Sequence, residues 1–280
     1  MKIGVSLFLW TDFVEQQHFK YFEKLKAAGF DGVEIPLMAG DETHYKLVAQ
    51  AIKNAGLECT TMSLGLPDKH LISQDPKARA AGLDFLKWAV DMSHLLGSKM
   101  LSGPLHSAPA IFTGNFPTEQ EKMWAANGLY DLAEYAQQFD IGIAVEYLNH
   151  FESYLCNTMA DTQALINLNP HANLGIQLDT HHAHYEENNM RDAIIHGGSN
   201  IKYVQISESN RGTPGAGLID FNEVFTALKH IEYDGWLTVE AFSWKHEQLR
   251  KNLHLWRELY TSEKDCYSKG FELIRSYWFG

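Results

Sequence analysis

Four acidic or amide side chains fall at matching places in the second half of the chain. Glu146 follows Ile-Ala-Val, Asp179 follows Ile-Gln-Leu, Gln205 follows Tyr-Val, and Glu240 follows Leu-Thr-Val. Each closes a short apolar run of the kind that forms a buried strand. A carboxylate in that position loses its hydration and must find a partner. Three of them pointing at one space would also repel one another. Taken singly, each acid could pair with a nearby Lys or Arg or face water. Four at comparable depth on successive strands point instead to a divalent cation held by Glu146, Asp179, Gln205 and Glu240. An oxygen-rich donor set of this kind suits Mn²⁺ or Mg²⁺ better than softer ions.

Other polar residues cluster near these four. His181, His182 and His184 follow Asp179 directly. They read either as a solvated loop or as imidazoles beside the metal. Arg211 lies in the loop after the Gln205 run, as a surface charge or as a group reaching substrate. Trp10, Phe13 and Phe112 fit packing or a sugar-stacking platform. The cluster Gly212–Gly217 has neither a G-x-G-x-x-G nor a P-loop pattern, so it reads as a flexible loop and not as a phosphate cradle.

Positioning these side chains at one rim requires a repeated strand–helix unit, and the sequence supplies one. Strand-like runs occur at Ile3–Leu9, Gly32–Leu37, Leu57–Leu64, Lys99–Leu105, Ile141–Leu148, Leu174–Asp179, Ile201–Ser207 and Trp236–Phe242. Amphipathic helical stretches separate them. Asp75-Pro76 is an N-cap followed by a first-turn proline, Thr118 and Glu121 form a capping box, and Asp220 with Glu223 opens another helix. Gly29, Gly56 and Gly97 sit where a helix ends in a left-handed residue. Leu249, Leu253, Trp256 and Tyr260 mark an eighth helix, and Lys264–Trp278 a further terminal one. Eight such units without a linker-like break predict an α/β fold: a single (β/α)₈ TIM barrel over residues 1–280 with an extra C-terminal helix. A doubly wound sheet would carry a Gly-rich phosphate turn after an early strand, and the sequence has none.

Composition narrows the function. The 280 residues are 45% hydrophobic and 21% charged, enough for a large core. Lys and Arg total 23 against 35 Asp and Glu, a formal charge of -12. That balance disfavours nucleic acid, whose binding rests on basic side chains displacing counterions. Three dispersed cysteines give no disulfide framework and no C-x-x-C zinc motif. No run approaches a membrane span, and the first residues lack the pattern of a signal peptide. The expectation is a cytoplasmic enzyme with a small-molecule partner, neither nucleic acid nor membrane.

The runs Glu146-Tyr-Leu-Asn-His-Phe-Glu152, Leu178-Asp-Thr-His-His182, Glu208-Ser-Asn-Arg211 and Thr238-Val-Glu240-Ala-Phe242 resemble the ketose 3-epimerases, the D-tagatose/D-allulose 3-epimerase group of the xylose isomerase-like barrels. The opening Lys2-Ile-Gly4 and the strand end Ser102-Gly-Pro104 fit as well. The resemblance implies a Mn²⁺ cofactor, with Mg²⁺ or Co²⁺ as alternatives. It implies Glu146 and Glu240 as the acid/base pair and as metal ligands with Asp179. It implies Glu152, His182 and Arg211 as substrate contacts, and a homo-oligomer, dimer or tetramer. Three positions depart from the family pattern. Gln205 stands where a metal-binding histidine is expected, Ser6 where a large aromatic is usual, and His106-Ser107 where the stretch is apolar. His106 is therefore a further candidate substrate contact, and the substrate is expected to differ from the usual free ketohexose.

The reaction expected is proton abstraction beside a carbonyl through an enediolate, with return of a proton on the opposite face. The same start can instead expel a leaving group, so a lyase or dehydratase on an oxo-sugar, oxo-glycoside or keto-inositol is the alternative. A DNA-repair endonuclease on this barrel would need more histidine ligands and a basic face. A non-catalytic sugar-binding barrel is the remaining reading.

Overall fold

A computed structural model describes residues 1–279. Eight parallel strands close into a barrel in chain order. They are β1 (Lys2–Ser6), β2 (Gly32–Pro36), β3 (Glu58–Met62), β4 (Met100–Gly103), β5 (Gly142–Glu146), β6 (Leu174–Asp179), β7 (Ile201–Ser207) and β8 (Trp236–Glu240). The helices are α1 (Lys20–Ala27), α2 (Glu42–Asn54), α3 (Pro76–Leu96), α4 (Glu119–Gln137), α5 (Met159–Leu168), α6 (Thr180–Glu186), α7 (Met190–Gly197), α8 (Phe221–His230), α9 (Glu247–Asn252) and α10 (Glu263–Phe279). The expected closed α/β barrel and terminal helix are both present.

The helix signals act as read. The Asp75 side chain accepts from the Lys77 backbone N–H at 2.9 Å. The Thr118–Glu121 box is reciprocal, with the Thr118 N–H donating to Glu121 at 2.8 Å and the Glu121 N–H donating to the Thr118 hydroxyl at 3.2 Å. Gly97 ends α3 at φ +76°, which costs an L-residue and not glycine.

Side chains on alternate strand positions point to opposite faces. One set, including Val5, Val33, Ile35, Leu101, Ile143, Ile176, Val204 and Val239, is buried in the main apolar core. The other set fills the barrel and is unusually polar for a place that Val, Ile and Leu ordinarily occupy. The Tyr203 hydroxyl lies 2.7 Å from both Thr60 and Thr238, joining β7 to β3 and β8 across the interior. Gln205 on β7 likewise reaches Glu34 on β2 at 3.0 Å. Buried polar groups persist where they are hydrogen-bonded, and these stitch the strands that carry the rim.

Two elements differ from the sequence reading. The first strand stops at Ser6, whose hydroxyl accepts from the Phe8 N–H, and Leu7–Leu9 turn as a 3₁₀ helix. The stretch from Leu249 to Tyr260 is not one helix: only Glu247–Asn252 is helical, His254 has φ +54° and Trp256 is exposed. Leu249 and Leu255 pack with Phe8, Met62 and Phe242 in a second apolar cluster at the C-terminal end of the barrel. The wall beside β8 and β1 is covered by α10 instead. Gly270 permits that approach, since a Cβ there would come within 2.8 Å of Val239.

Candidate active site

The strand register brings the predicted residues together. Asp179 pairs with Gln205 across β6 and β7, and Ser207 pairs with Glu240 across β7 and β8. Glu146 ends β5 one strand away. All are almost wholly shielded from solvent.

Each carboxylate is held differently. Asp179 caps α6, one oxygen accepting from the His181 backbone N–H at 2.8 Å. Its other oxygen faces the site. Glu240 accepts from the Gln205 amide at 3.0 Å, the Ser207 hydroxyl at 3.0 Å and Arg211 Nη1 at 3.1 Å. Glu146 is the loosest, with His182 Nε2 3.5 Å from one of its oxygens. Burial pushes the Glu146 and Glu240 carboxyls well above the usual carboxylate range, and the neighbouring Asp179 charge adds to it. Burial also raises Asp179, with Arg211 pulling it back.

One cationic side chain serves this cluster. Arg211 Nη1 lies 3.1 Å from both Asp179 and Glu240, and its Nη2 lies 3.3 Å from Glu152. The guanidinium rests over the Phe242 ring at 4.9 Å. Its backbone has φ +61°, a strained setting for a non-glycine residue. The loop that imposes it is not the loose segment expected at Gly212–Gly217. The buried Glu208 carboxylate accepts backbone N–H groups from Ser209, Gly215, Leu218 and Ile219 at 2.7 to 3.3 Å and ties the loop to the end of β7.

The histidines are not a solvated loop either, because α6 starts directly after Asp179. His181 is tied to the Glu208 carbonyl at 3.0 Å. His182 enters the site. Its Nδ1 faces the Asn149 backbone N–H at 2.9 Å and its Nε2 faces Arg211 Nη2 at 3.1 Å, so donors approach both ring nitrogens. Burial, then Arg211, hold its pKa well below the usual value, so the ring is neutral. Donor atoms of Glu146, Asp179 and His182 lie within 4.8 Å of one another, close enough to share an ion.

Glu152 accepts from Asn149 Nδ2 at 3.0 Å and from Arg211, at the edge of the site. His106 is fully buried with both ring nitrogens engaged, Nε2 by the Glu146 carbonyl at 3.0 Å and Nδ1 by the Ser107 hydroxyl at 2.8 Å. Burial lowers its pKa to about 4. It supports the Glu146 backbone. Trp10 and Phe13 stack on Tyr21 and His44, each at 4.5 Å, as packing residues.

Gln205 is buried between carboxylates. Its Nε2 lies 3.0 Å from Glu240 and 3.0 and 3.2 Å from the two oxygens of Glu34. Glu34 is the residue that sequence reasoning missed. In Gly-Val-Glu-Ile-Pro it looks like a solvent-facing strand acid, yet it is fully buried. The available signal was that a parallel barrel strand has no solvent face.

The arrangement fits a hard divalent cation. Three carboxylates, each favoured in its neutral form by burial, face a space where one guanidinium nitrogen bridges two of them. Oxygen donors alone are the set that Mg²⁺ and Mn²⁺ accept.

Comparison with known proteins agrees with this geometry. Residues 22–259 match the family model "Xylose isomerase-like TIM barrel". The chain is 33% identical to the ketose 3-epimerase of Arthrobacter globiformis, over 98% of this chain and 96% of that protein. It is 32% identical to the L-ribulose 3-epimerase of Methylomonas sp., over 89% and 87%. The crystal structure of a D-allulose 3-epimerase from Methylomonas sp. in complex with D-allulose superposes with a TM-score of 0.94, covering 99% of this chain and 97% of that one at 28% identity. These relatives are epimerases, which does not favour the elimination reading.

Proposed function

The chain belongs to the xylose isomerase-like TIM barrel family and, within it, to the ketose 3-epimerases, a group of sugar epimerases; from that premise we propose that it inverts the carbinol carbon next to the carbonyl of a ketose, at C3. The observation that carries the proposal is the convergence of Glu146, Asp179 and Glu240 at one buried point with Arg211 as their only cationic neighbour among the described residues.

Glu146, Asp179 and Glu240 would hold the cation, with Mn²⁺ as first choice and Mg²⁺ or Co²⁺ as alternatives. When bound, the cation polarises the carbonyl and stabilises charge developing on the substrate oxygens. Glu146 and Glu240 come from β5 and β8, across the rim from each other. One takes the C3 proton from one face and the other returns a proton on the opposite face, and the roles exchange in the reverse reaction. Their proton affinity, raised by burial, suits groups that must both accept and give a proton. His182 and Arg211 contact substrate oxygens, and Glu152 accepts from a substrate hydroxyl while restraining Arg211. His106 acts behind Glu146. Apolar residues at the mouth, with Arg211 and Phe242, exclude water from the reacting carbon.

The chain acts as one catalytic domain over residues 1–280, in the cytoplasm, as a homo-oligomer (dimer or tetramer). A ketose panel incubated with the protein and Mn²⁺ in heavy water tests the reading. The expected result is a C3 epimer carrying solvent deuterium at C3. No epimer and no exchange across the panel would refute it.

A further inference from the structure

Just below the rim, the barrel holds a carboxylate that the reaction does not call for. Glu34 is fully buried and has no cationic partner among the described residues. Burial raises its proton affinity, and the Tyr203 and Ser6 hydroxyls and the Gln205 amide pull it back. Of these, Gln205 connects it to the site.

The Gln205 amide is fully used. Its nitrogen has two hydrogens, and two carboxylates take them: Glu34 at 3.0 and 3.2 Å and Glu240 at 3.0 Å. Its oxygen accepts from Gln177 Nε2 at 2.5 Å. The two ends of an amide are often hard to tell apart, but here the neighbours choose. Turned round, the oxygen would need a protonated Glu34 or Glu240 to donate to it, and the nitrogen would face Gln177 Nε2, donor against donor. Without Glu34, a cation beside Glu240 would favour that turned state by attracting the oxygen. Glu34 is therefore the group that keeps the nitrogen inward.

We propose that Glu34 is a positioning residue: it holds Gln205 as an N–H donor to Glu240, so that Gln205 does not ligate the cation. The proposal rests on the reading that a cation sits among Glu146, Asp179 and Glu240. Its consequence is a division of labour within one carboxylate. Glu240 Oε1 is fixed from below by Gln205, while Oε2 accepts from Ser207 and Arg211.

The experiment is side-chain amide NMR on the full-length ¹⁵N-labelled protein, first stripped with chelator and then saturated with Mg²⁺. The Gln205 pair is assigned by its loss in Gln205→Met, or by its shift in the isosteric Glu34→Gln should the first variant not fold. Expected are two N–H signals that exchange slowly with solvent in both states, one of which loses protection in Glu34→Gln. A pair that loses protection when Mg²⁺ is added, as the oxygen turns toward the ion, overturns the proposal. Kinetics give the second readout. Glu34→Gln and Gln205→Met should each lower kcat with little change in KM, and the double variant should match Gln205→Met within about twofold, because Glu34 acts through the amide. Additive losses would mean that Glu34 acts by another route. Calorimetry that finds no Mg²⁺ or Mn²⁺ bound to the stripped wild type would sink the cation reading instead, and the stripped protein's amide signals would still decide the orientation of Gln205.

Discussion

The two halves of the barrel rim have opposite chemistry. Strands β5 to β8 deliver Glu146, Asp179, Ser207 and Glu240 to one point, neutralised in part by Arg211. The other half brings Phe8 and Met62, which pack with Phe242, Leu249 and Leu255 in an apolar cluster. One half concentrates charge at a cost in stability, and the other removes water so that the charge acts in a low dielectric. The lesson is that the site is made by their contact: the Arg211 guanidinium lies on the face of Phe242, where acid cluster and apolar cap meet.

The largest effects should come from the charged half. Glu146→Gln and Glu240→Gln should each lower kcat by about 10² to 10⁴-fold, the range for a lost general acid or base. They should part in stability. Glu146 has one loose contact, so its neutral isostere should unfold no more easily than wild type. Glu240 satisfies three donors, and its amide replacement would turn hydrogens on one or more of them, costing about 1–3 kcal/mol. Steady-state kinetics and urea titration on the same preparations check both, and equal stability losses would contradict this contrast.

Arg211→Met tests the counter-charge next. Removing one partner of a buried ion cluster typically costs about 3–5 kcal/mol. Chelated Arg211→Met should show a loss of that size by urea titration. Excess Mg²⁺ should recover more stability in the variant than in wild type, because the cation replaces the missing charge. Equal recovery in both would mean that Arg211 and the cation do not share the acids.

How far the sequence foretold this depended on which half was being read. Glu146, Asp179, Gln205 and Glu240 interrupt apolar runs near the ends of four successive strands, and a break in a buried strand is a visible signal. Glu34 is flanked by Val33 and Ile35 in the same way, but β2 carries no other rim acid and no motif beside it. Its burial follows only once the barrel closes and β7 lies opposite. The Leu249–Tyr260 stretch has helical spacing, yet tertiary packing overrode it. Its leucines cover the mouth, and α10 took the place on the wall. The orientation of Gln205 was beyond reach for a related reason, since a side chain's ligand or donor role is set by neighbours far away in sequence.

A smaller effect should appear as pH changes without metal. Glu146, Asp179 and Glu240 have folded-state pKa values raised by burial. For acids shifted upward, the fold binds more protons than the unfolded chain, so stability is greatest below the unfolded value of about 4 and falls as pH rises through the folded values. His181 and His182 are shifted downward, so they oppose folding only below their unfolded value of about 6.5. Above about pH 6.5 the carboxylates alone should set the trend. Chelated protein should lose Tm as pH rises through the folded carboxyl values, and saturating Mg²⁺ should flatten the slope by taking the place of the protons. A Tm that rises with pH in chelator would contradict the burial argument.

The smallest expected change lies inside the quiet half. Thr60→Val keeps the shape of the side chain and removes the hydroxyl that lies 2.7 Å from Tyr203. Tyr203 retains Thr238 at 2.7 Å, so no buried hydroxyl is orphaned. The cost should be about 0.5–1.5 kcal/mol, the net worth of one hydrogen bond, with kcat and KM near wild type. Urea titration beside steady-state kinetics makes the comparison. The result matters because Tyr203 also touches Glu34. If Thr60→Val lowers kcat as Glu34→Gln does, the polar interior is one coupled network reaching the rim. If only stability falls, the influence of the β1–β4 half on the chemistry passes through Glu34 and Gln205, and the remaining interior hydrogen bonds hold the strands in place.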